Sequence, residues 1–418
     1  MDFTKFFTIV ANRRRQSILR EWAKQYVMTP NAITLANGMP NDQTFPFKEI
    51  TVTHKDDTNY TLSGRELAQS LQYGPSEGFP PLVNKFQEFQ RKYHQPKHDQ
   101  WGVIFTSGSQ DGCSKIFEMV IGEGEPVMIQ APTYTGTLAA LAGVAPEIIG
   151  IPQDADGIIP EKIENVCEEK LSQKKPLPKL LYVNPTGANP TGTILSEERR
   201  RRIYALAQKY DFLIVEDDPY FFLHFLDQPP KTFFSLDTDG RVLRLDSFSK
   251  ILSAGLRLGV VTGHKTLLQK ISTHLESSIL HASSLSQMLV YKLMETWTPE
   301  KFDQHFHDIQ SFYRDKRDTM SRILEKHLSG LAEWTVPNSG MFFWINVTGL
   351  EDVFELVTKK CVAHKIFLLP GRAFNYDLNK KDSHIRLCYS FANTEDMEKA
   401  LTILSQLIKE ERAKCGRP

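Results

Sequence analysis

Four short segments carry residue types that can hold a phosphorylated ligand and do amine chemistry on it. Asp246-Ser247-Phe248-Ser249-Lys250 follows an apolar run and precedes Gly255-Leu256-Arg257-Leu258-Gly259. A lysine among small hydroxyl residues, with an arginine seven positions on, can place an amine and a guanidinium around one phosphate. Arginine suits bidentate phosphate contacts, and lysine suits Schiff-base chemistry because its pKa falls on burial. Glu216-Asp217-Asp218-Pro219-Tyr220 also ends an apolar run, the place where parallel sheets hold ligands. Its three acids are metal ligands, partners for a cationic ring, or a solvated turn; without other carboxylate clusters, metal is the weakest of these. Ser107-Gly108-Ser109-Gln110-Asp111-Gly112 opens a helical pattern through Ile116, Met119 and Val120. Such a start leaves backbone N–H groups for an anion, and alone serves equally well as a structural cap. Asn184-Pro185-Thr186-Gly187 and Asn189-Pro190-Thr191-Gly192 are tandem tight turns that can present an amide side chain.

The frame for these segments is legible around them. From about residue 72 to 264, apolar runs alternate with helical patterns, the signature of βαβ units and a parallel sheet. Strands are expected at 127–130, 180–183, 212–215, 242–245 and 258–262. A helix between two of them starts at a Ser196 cap, has Glu197 and Glu198 at its positive end, and carries the stripe Ile203, Leu206, Ala207 and Tyr210. Arg199, Arg200, Arg201 and Arg202 fall on this helix and are expected on a solvated or ion-paired face. The last hundred residues, with strands at 340–346 and 385–389 and a final helix from Thr394, follow an α+β pattern. A second, smaller domain is expected there.

Composition bounds the function. The 418 residues balance 50 basic against 50 acidic side chains, which removes the electrostatic case for nucleic acid. No apolar run approaches the ~18 residues that span a bilayer. The five cysteines have no C-x-x-C pair, so neither a disulfide framework nor a zinc site is expected. Dinucleotide, Walker A, H-E-x-x-H and G-x-S-x-G motifs are all missing. The first 25 residues include Arg13, Arg14, Arg15 and Arg20, arginine-rich like a transit peptide, but also Asp2 and Glu21.

In chain order, N-P-T-G, D-x-x-Y, S-x-S-K and G-L-R-x-G resemble the class I and II aminotransferases, pyridoxal-phosphate enzymes of fold type I. EDDPYFF, DSFSKI and AGLRLG are similar to runs of the kynurenine/α-aminoadipate subgroup, and TSGSQ, LQYGPS, GMFFW and LPGRAF extend the match over about residues 6–408. The resemblance implies an α/β fold with a large domain, built on a mostly parallel seven-stranded sheet flanked by helices, and a smaller α+β domain. It divides the chain into 1–60 (N-terminal segment, part of the small domain and substrate cover), 61–315 (large, cofactor-binding) and 316–418 (small).

The resemblance makes Lys250 the lysine that binds pyridoxal 5'-phosphate, Asp217 the partner of its ring nitrogen, and Tyr220 and Asn189 partners of its phenolic oxygen. Tyr134 matches the stacked ring; Ser109, Gln110, Ser247 and Arg257 match the phosphate cup, and Tyr73 matches a contribution from the neighbouring subunit of a homodimer. Arg386 matches the clamp on the substrate α-carboxylate, with Asn189, Gly38 and Arg20 also at the substrate. The implied reaction moves the amino group of kynurenine, 2-aminoadipate or aromatic amino acids to 2-oxoglutarate by a ping-pong mechanism. A β-lyase on the same scaffold is the alternative, and a ligand-sensing regulator lacks the DNA-binding module it would need. Location is expected to be mitochondrial by resemblance, with the cytoplasm as the alternative. Two points depart from the pattern: Ala36-Asn37-Gly38-Met39 replaces the family's A-G-G-L, and the doubled N-P-T-G leaves Asn184 beside the preferred Asn189.

Overall fold

The computed structural model describes residues 1–36 and 38–414, without side-chain detail at Ala23, Lys24, Val27 and Met28; Asn37 therefore lies outside the described residues. A hairpin, β1 (Glu49–Thr53) and β2 (Asn59–Ser63), precedes the main sheet. That sheet is built from β3 (Trp101–Thr106), β4 (Pro126–Ala131), β5 (Glu147–Asp154), β6 (Gly157–Ile158), β7 (Leu180–Val183), β8 (Leu213–Asp217), β9 (Val242–Ser247) and β10 (Gly259–His264). Their spatial order is β3-β10-β9-β8-β7-β4-β5-β6. From β9 to β5 all neighbours are parallel, β10 is antiparallel to both of its neighbours, and β6 folds back on β5 as a two-residue eighth strand beside the seven expected.

Burial on both faces explains why the central strands are continuously apolar rather than alternating. Leu181, Val183, Ile214 and Val242 belong to one core, while Leu180, Tyr182, Leu213, Val215, Leu243 and Leu245 belong to the core on the other face. The helix Glu197–Tyr210 covers the first face, and the Ser196 hydroxyl accepts from Arg199 N as its cap. Three of its arginines pair at the surface, with Asp154, Glu197 and Glu161. Arg200 is ion-paired too, 3.7 Å from Glu216, but inside the core rather than at the surface. It lies on the same stripe as Ile203 and Ala207, is wholly buried, and donates to Leu195 O, Pro185 O and Thr186 Oγ1.

The smaller sheet has β11 (Ala332–Trp334), β12 (Phe342–Val347), β13 (Leu369–Pro370) and β14 (His384–Cys388) in the antiparallel order β11-β12-β14-β13. Helix Thr394–Lys414 covers it with Met397, Leu401, Leu404 and Ile408. The 30-residue helix Pro299–Leu328 belongs to both bodies. Phe302 and Phe306 pack in the large-sheet core, whereas Met320, Ile323, Leu324 and Leu328 pack in the small one. A division at 315/316 thus falls inside one helix.

The first residues also differ from expectation. Phe3, Phe6 and Ala11 pack into a core of the large sheet, not into the small domain. Thr8 N donates to Met119 O, and Arg14 pairs with Glu118, because apolar side chains at 3, 6 and 11 find cover on helix Ser109–Val120. Among the described residues no helix is long and apolar enough to cross a membrane.

Candidate active site

The carboxyl ends of β7, β8 and β9 meet strands of the small sheet around a cavity of about 390 Å³. Ser109, Gln110, Tyr134, Asn189, Asp217, Tyr220, Ser247, Lys250, Arg257 and Arg386 all line it. The structure therefore gathers these ten from segments that are far apart in sequence.

Asp217 ends β8, in register with Leu245 of β9. Strand alternation puts its carboxylate on the face shared by Val215 and Tyr182, which are paired across β7 and β8. Tyr182 donates to Asp217 Oδ2 at 2.6 Å, and Oδ1 is buried with no partner. Burial is the main cause that pushes Asp217 up to about 6; the Tyr182 hydrogen bond works against it, and Asp218 adds to it. Asn184 Nδ2 fixes the backbone by donating to Asp217 O at 2.6 Å, while its Oδ1 accepts from Asn189 N at 2.7 Å. Asn184 is thus a fastener of two site residues rather than a simple turn residue, and both its side-chain atoms are engaged there.

The anion end is shaped by glycines. Gly108, with φ +89°, precedes helix Ser109–Val120, and a Cβ on it would come within 2.6 Å of Arg257 Nη2. A Cβ on Gly259 would come within 2.4 Å of Ser109 N. Arg257 itself has φ +48°, a left-handed backbone that a non-glycine residue rarely adopts and that here lays its guanidinium across the helix start. Gln110 Nε2 donates to Gly136 O, linking this helix to the turn after Tyr134.

On the small-domain side, Arg386 Nη1 donates to Asn189 Oδ1 at 2.8 Å. Its guanidinium carbon lies 4.4 Å from the Phe342 ring centroid and 5.1 Å from that of Phe374, and its Nε is buried without a partner. Phe374 O accepts from Thr133 N, so one residue touches both the arginine and the segment before Tyr134. Tyr220 packs edge-on to Phe342, and burial raises its phenol above the usual range while Arg386 opposes the rise.

Three expected residues stand outside this cavity. Tyr73 is 52% exposed, which excludes a core tyrosine, and lies edge-on to His281. Arg20 is half-buried, and its Nη2 donates to Gly74 O at 3.0 Å and to Ser76 Oγ at 3.2 Å, which places it beside the Tyr73 segment. Gly38 is exposed, and a Cβ added to it would meet nothing within 4 Å. Sequence reasoning missed Tyr182, Asn184 as a fastener, Phe374 and Cys388; the signal available for Tyr182 was a polar tip in an otherwise apolar buried strand.

Pyridoxal phosphate fits this arrangement on two observations. The orphan Asp217 Oδ1 suits a protonated ring nitrogen, and the Gly108–Arg257–Gly259 cradle suits a phosphate against backbone N–H groups. A sheet of this order, fitted in this way at its carboxyl ends, defines a pyridoxal-phosphate enzyme of fold type I. The family model Aminotransferase class I and II matches residues 30–404, and the chain belongs to that family. It is 39% identical over 423 residues to the mitochondrial kynurenine/alpha-aminoadipate aminotransferase of Bos taurus, covering 98% of this chain and 100% of that one. Among solved structures it superposes on aminotransferase Aro9 of C. albicans with a TM-score of 0.90 at 27% identity, covering 100% of both chains. The kynurenine aminotransferase of Pyrococcus horikoshii, solved with PMP, superposes with a TM-score of 0.79 at 30% identity, covering 98% of both.

Proposed function

We propose that this aminotransferase takes kynurenine, 2-aminoadipate and aromatic amino acids as donors and 2-oxoglutarate as acceptor. Support comes from relatives named for kynurenine and alpha-aminoadipate, and for aromatic amino acids. The observation that carries the chemistry is one cavity lined at once by Lys250, by Asp217 with its free oxygen, and by Arg386.

When bound, pyridoxal phosphate supplies an electron sink for the bond broken at the substrate α-carbon. Asp217 holds a proton at the ring nitrogen, because an ionised carboxylate favours the cationic ring. Arg386, braced by Phe342, Phe374 and Asn189, takes the α-carboxylate in a two-point clamp and aligns the α-carbon, which makes the step nearly unimolecular. Lys250, lining the same cavity, would take the proton from the substrate α-carbon as base and later donate it as acid. Tyr220 and Asn189 would bind the phenolic oxygen, Tyr134 would cover the ring, and Ser109, Gln110, Ser247 and Arg257 would hold the phosphate, all of them lining the one cavity. The donor would leave as its 2-oxo acid and the acceptor 2-oxo acid would leave as the corresponding amino acid, so the amino group is carried over with no net oxidation.

The functional unit is a homodimer in which Tyr73, and Arg20 beside it, complete the partner's site, since both lie outside the cavity of their own chain. Of residues 1–60, the part beyond the anchor at 3–14 covers the substrate, 61–315 bind the cofactor, and 316–418 carry Arg386. Gly38 faces the substrate once the partner is in place. The location is mitochondrial, supported by the arginine-rich start and by the relatives' names.

The decisive experiment is to load the protein with pyridoxal phosphate and reduce it with borohydride, then map the label. Labelled Lys250, donor-dependent turnover only with a 2-oxo acid, and a folded but inactive Lys250→Ala are expected. Turnover without any 2-oxo acid would identify a lyase instead.

A further inference from the structure

Behind the site, on the sheet face opposite Tyr182, lies a buried charge cluster that the reaction described above does not use. Glu216 of β8 sits in parallel register with Arg244 of β9. Arg244 is wholly buried, and its single guanidinium meets three carboxylates. Nη1 lies 3.1 Å from Asp218 Oδ2 and 3.3 Å from Glu216 Oε2; Nη2 lies 2.8 Å and Nε 3.0 Å from Asp246 Oδ1. The Phe221 ring backs the guanidinium at 5.0 Å, and Gln90 holds the other oxygen of Asp246 at 2.7 Å.

The placement of two of these carboxylates matters. Asp218 adjoins Asp217 and starts the turn to Tyr220, while Asp246 adjoins Ser247 and starts the run to Lys250. One planar fork therefore ties the loop of the ring-nitrogen carboxylate to the loop of the amine, a geometry that lysine cannot copy. We propose that Arg244 is a positioning residue for transamination: it sets the Asp217–Tyr220 turn against the Ser247–Lys250 turn, and its charge offsets the carboxylates behind Asp217. The groups close enough to act on Asp217 are Tyr182 from β7, Cys113 from helix Ser109–Val120, Asp218 and Tyr220 from its own segment, and Arg244 and Asp246 from β9 behind it. Arg244 is the one cation among these groups; Arg200 reaches only Glu216, at 3.7 Å, and Lys250, Arg257 and Arg386 stand across the cavity, so removing Arg244 takes away the cation that contacts Asp218 and Asp246.

This inference rests on the reading of Asp217 given under Proposed function. The test compares Arg244→Met and Arg244→Lys, both checked for folding by circular dichroism, with the native holoenzyme. Arg244→Met is expected to lower kcat by about ten- to a hundredfold with KM for the amino donor nearly unchanged, since loosened geometry acts on the chemical step. The pH midpoint of the bound cofactor's visible absorbance should rise, because losing a nearby cation favours protonated forms. Cofactor affinity, titrated by fluorescence with the cofactor-free protein, should fall about tenfold. Arg244→Lys should restore the absorbance midpoint but not kcat. A folded Arg244→Met with native midpoint and cofactor affinity overturns the proposal. If that variant does not fold, Asp246→Asn keeps the cation and frees one arm; a lower midpoint and a lower kcat are expected, and native values for both overturn it. Should Asp217→Asn leave turnover intact, the underlying reading fails; should Asp217→Asn be damaging while Arg244→Met is silent, only this inference fails.

Discussion

Tyr182 Oη donates to one oxygen of Asp217 at 2.6 Å and leaves the other buried and unpaired. The contact orients the carboxylate of a residue that lines the cavity. Asp218, next in the chain, is turned the other way and spends its charge on Arg244. The two neighbouring acids are thereby assigned different work by the alternation of a single strand.

Asp217→Asn should slow α-proton removal by about 3 kcal/mol or more, roughly a hundredfold, because the ring nitrogen loses the group that keeps it protonated. Asp218→Asn should be milder on the chemical step and cost about 1–3 kcal/mol of stability through its buried pair with Arg244. Single-turnover kinetics and thermal unfolding separate the two effects. The reverse ranking in single-turnover rate would show that Asp218 is the ring partner.

Asp217 also sets a pH dependence. Its folded value of about 6 lies above the ordinary 3.8, so the cofactor-free fold holds this proton more tightly than the unfolded chain does. The corresponding stability is fully present at low pH and is lost as pH rises from about 4 to about 6. Cofactor affinity runs the opposite way, since binding a cationic ring needs the ionised carboxylate, and should weaken as pH drops through about 6. Tyr182→Phe removes the donor that favours ionisation and should move this midpoint up by about one pH unit. Titration of affinity against pH in both proteins measures it; coincident curves would deny Tyr182 that influence.

Tyr73 offers a test of shared sites. If it serves the neighbouring subunit, mixing an inactive Lys250→Ala protein with a Tyr73→Ala protein should restore activity up to about a quarter of native, because half of randomly assorted dimers carry one intact site. Mixed samples no more active than their separate components, despite subunit exchange shown by mass, would put Tyr73 outside the partner's site.

Arg20 should discriminate among donors. Leaving Gly74 O and Ser76 Oγ, it can meet a distal carboxylate, as in 2-aminoadipate, with a charge-assisted pair, whereas an aromatic side chain offers it only the weaker face of a ring. Arg20→Ala should then reduce kcat/KM for dicarboxylic donors by about tenfold beyond any loss for aromatic ones, the worth of a charge-assisted hydrogen bond. Equal losses for both classes would show that Arg20 does not read the side chain.

The parts of the site that the sequence displays are those in which neighbours along the chain act together: the Ser247–Lys250 run, the Asp217–Tyr220 run and the helix start at Ser109. Hidden parts depend on contacts across the sheet or between domains. Tyr182 meets Asp217 only because β7 and β8 are parallel in register, and Arg386 acquires its Phe342 and Phe374 walls from strands and turns separated in the chain. β3 and β5 are hard to see in the sequence because Gly102, Gly150 and Pro152 interrupt their apolar runs. Arg200 reads as a surface residue because the carbonyls of Pro185 and Leu195 that receive it are assembled by the tertiary fold.

The helix Pro299–Leu328, rooted at one end in the large core and at the other in the small, acts as a lever. At 30 residues it is about 45 Å long, so a tilt of about 3° at Phe302 and Phe306 carries the far end roughly 2 Å. Arg386 rides on the body attached to that far end, on β14. Packing changes around Phe302 and Phe306, remote from any reacting atom, can therefore retune the reach of the carboxylate clamp, which makes that aromatic cluster a natural place for selection to adjust substrate size.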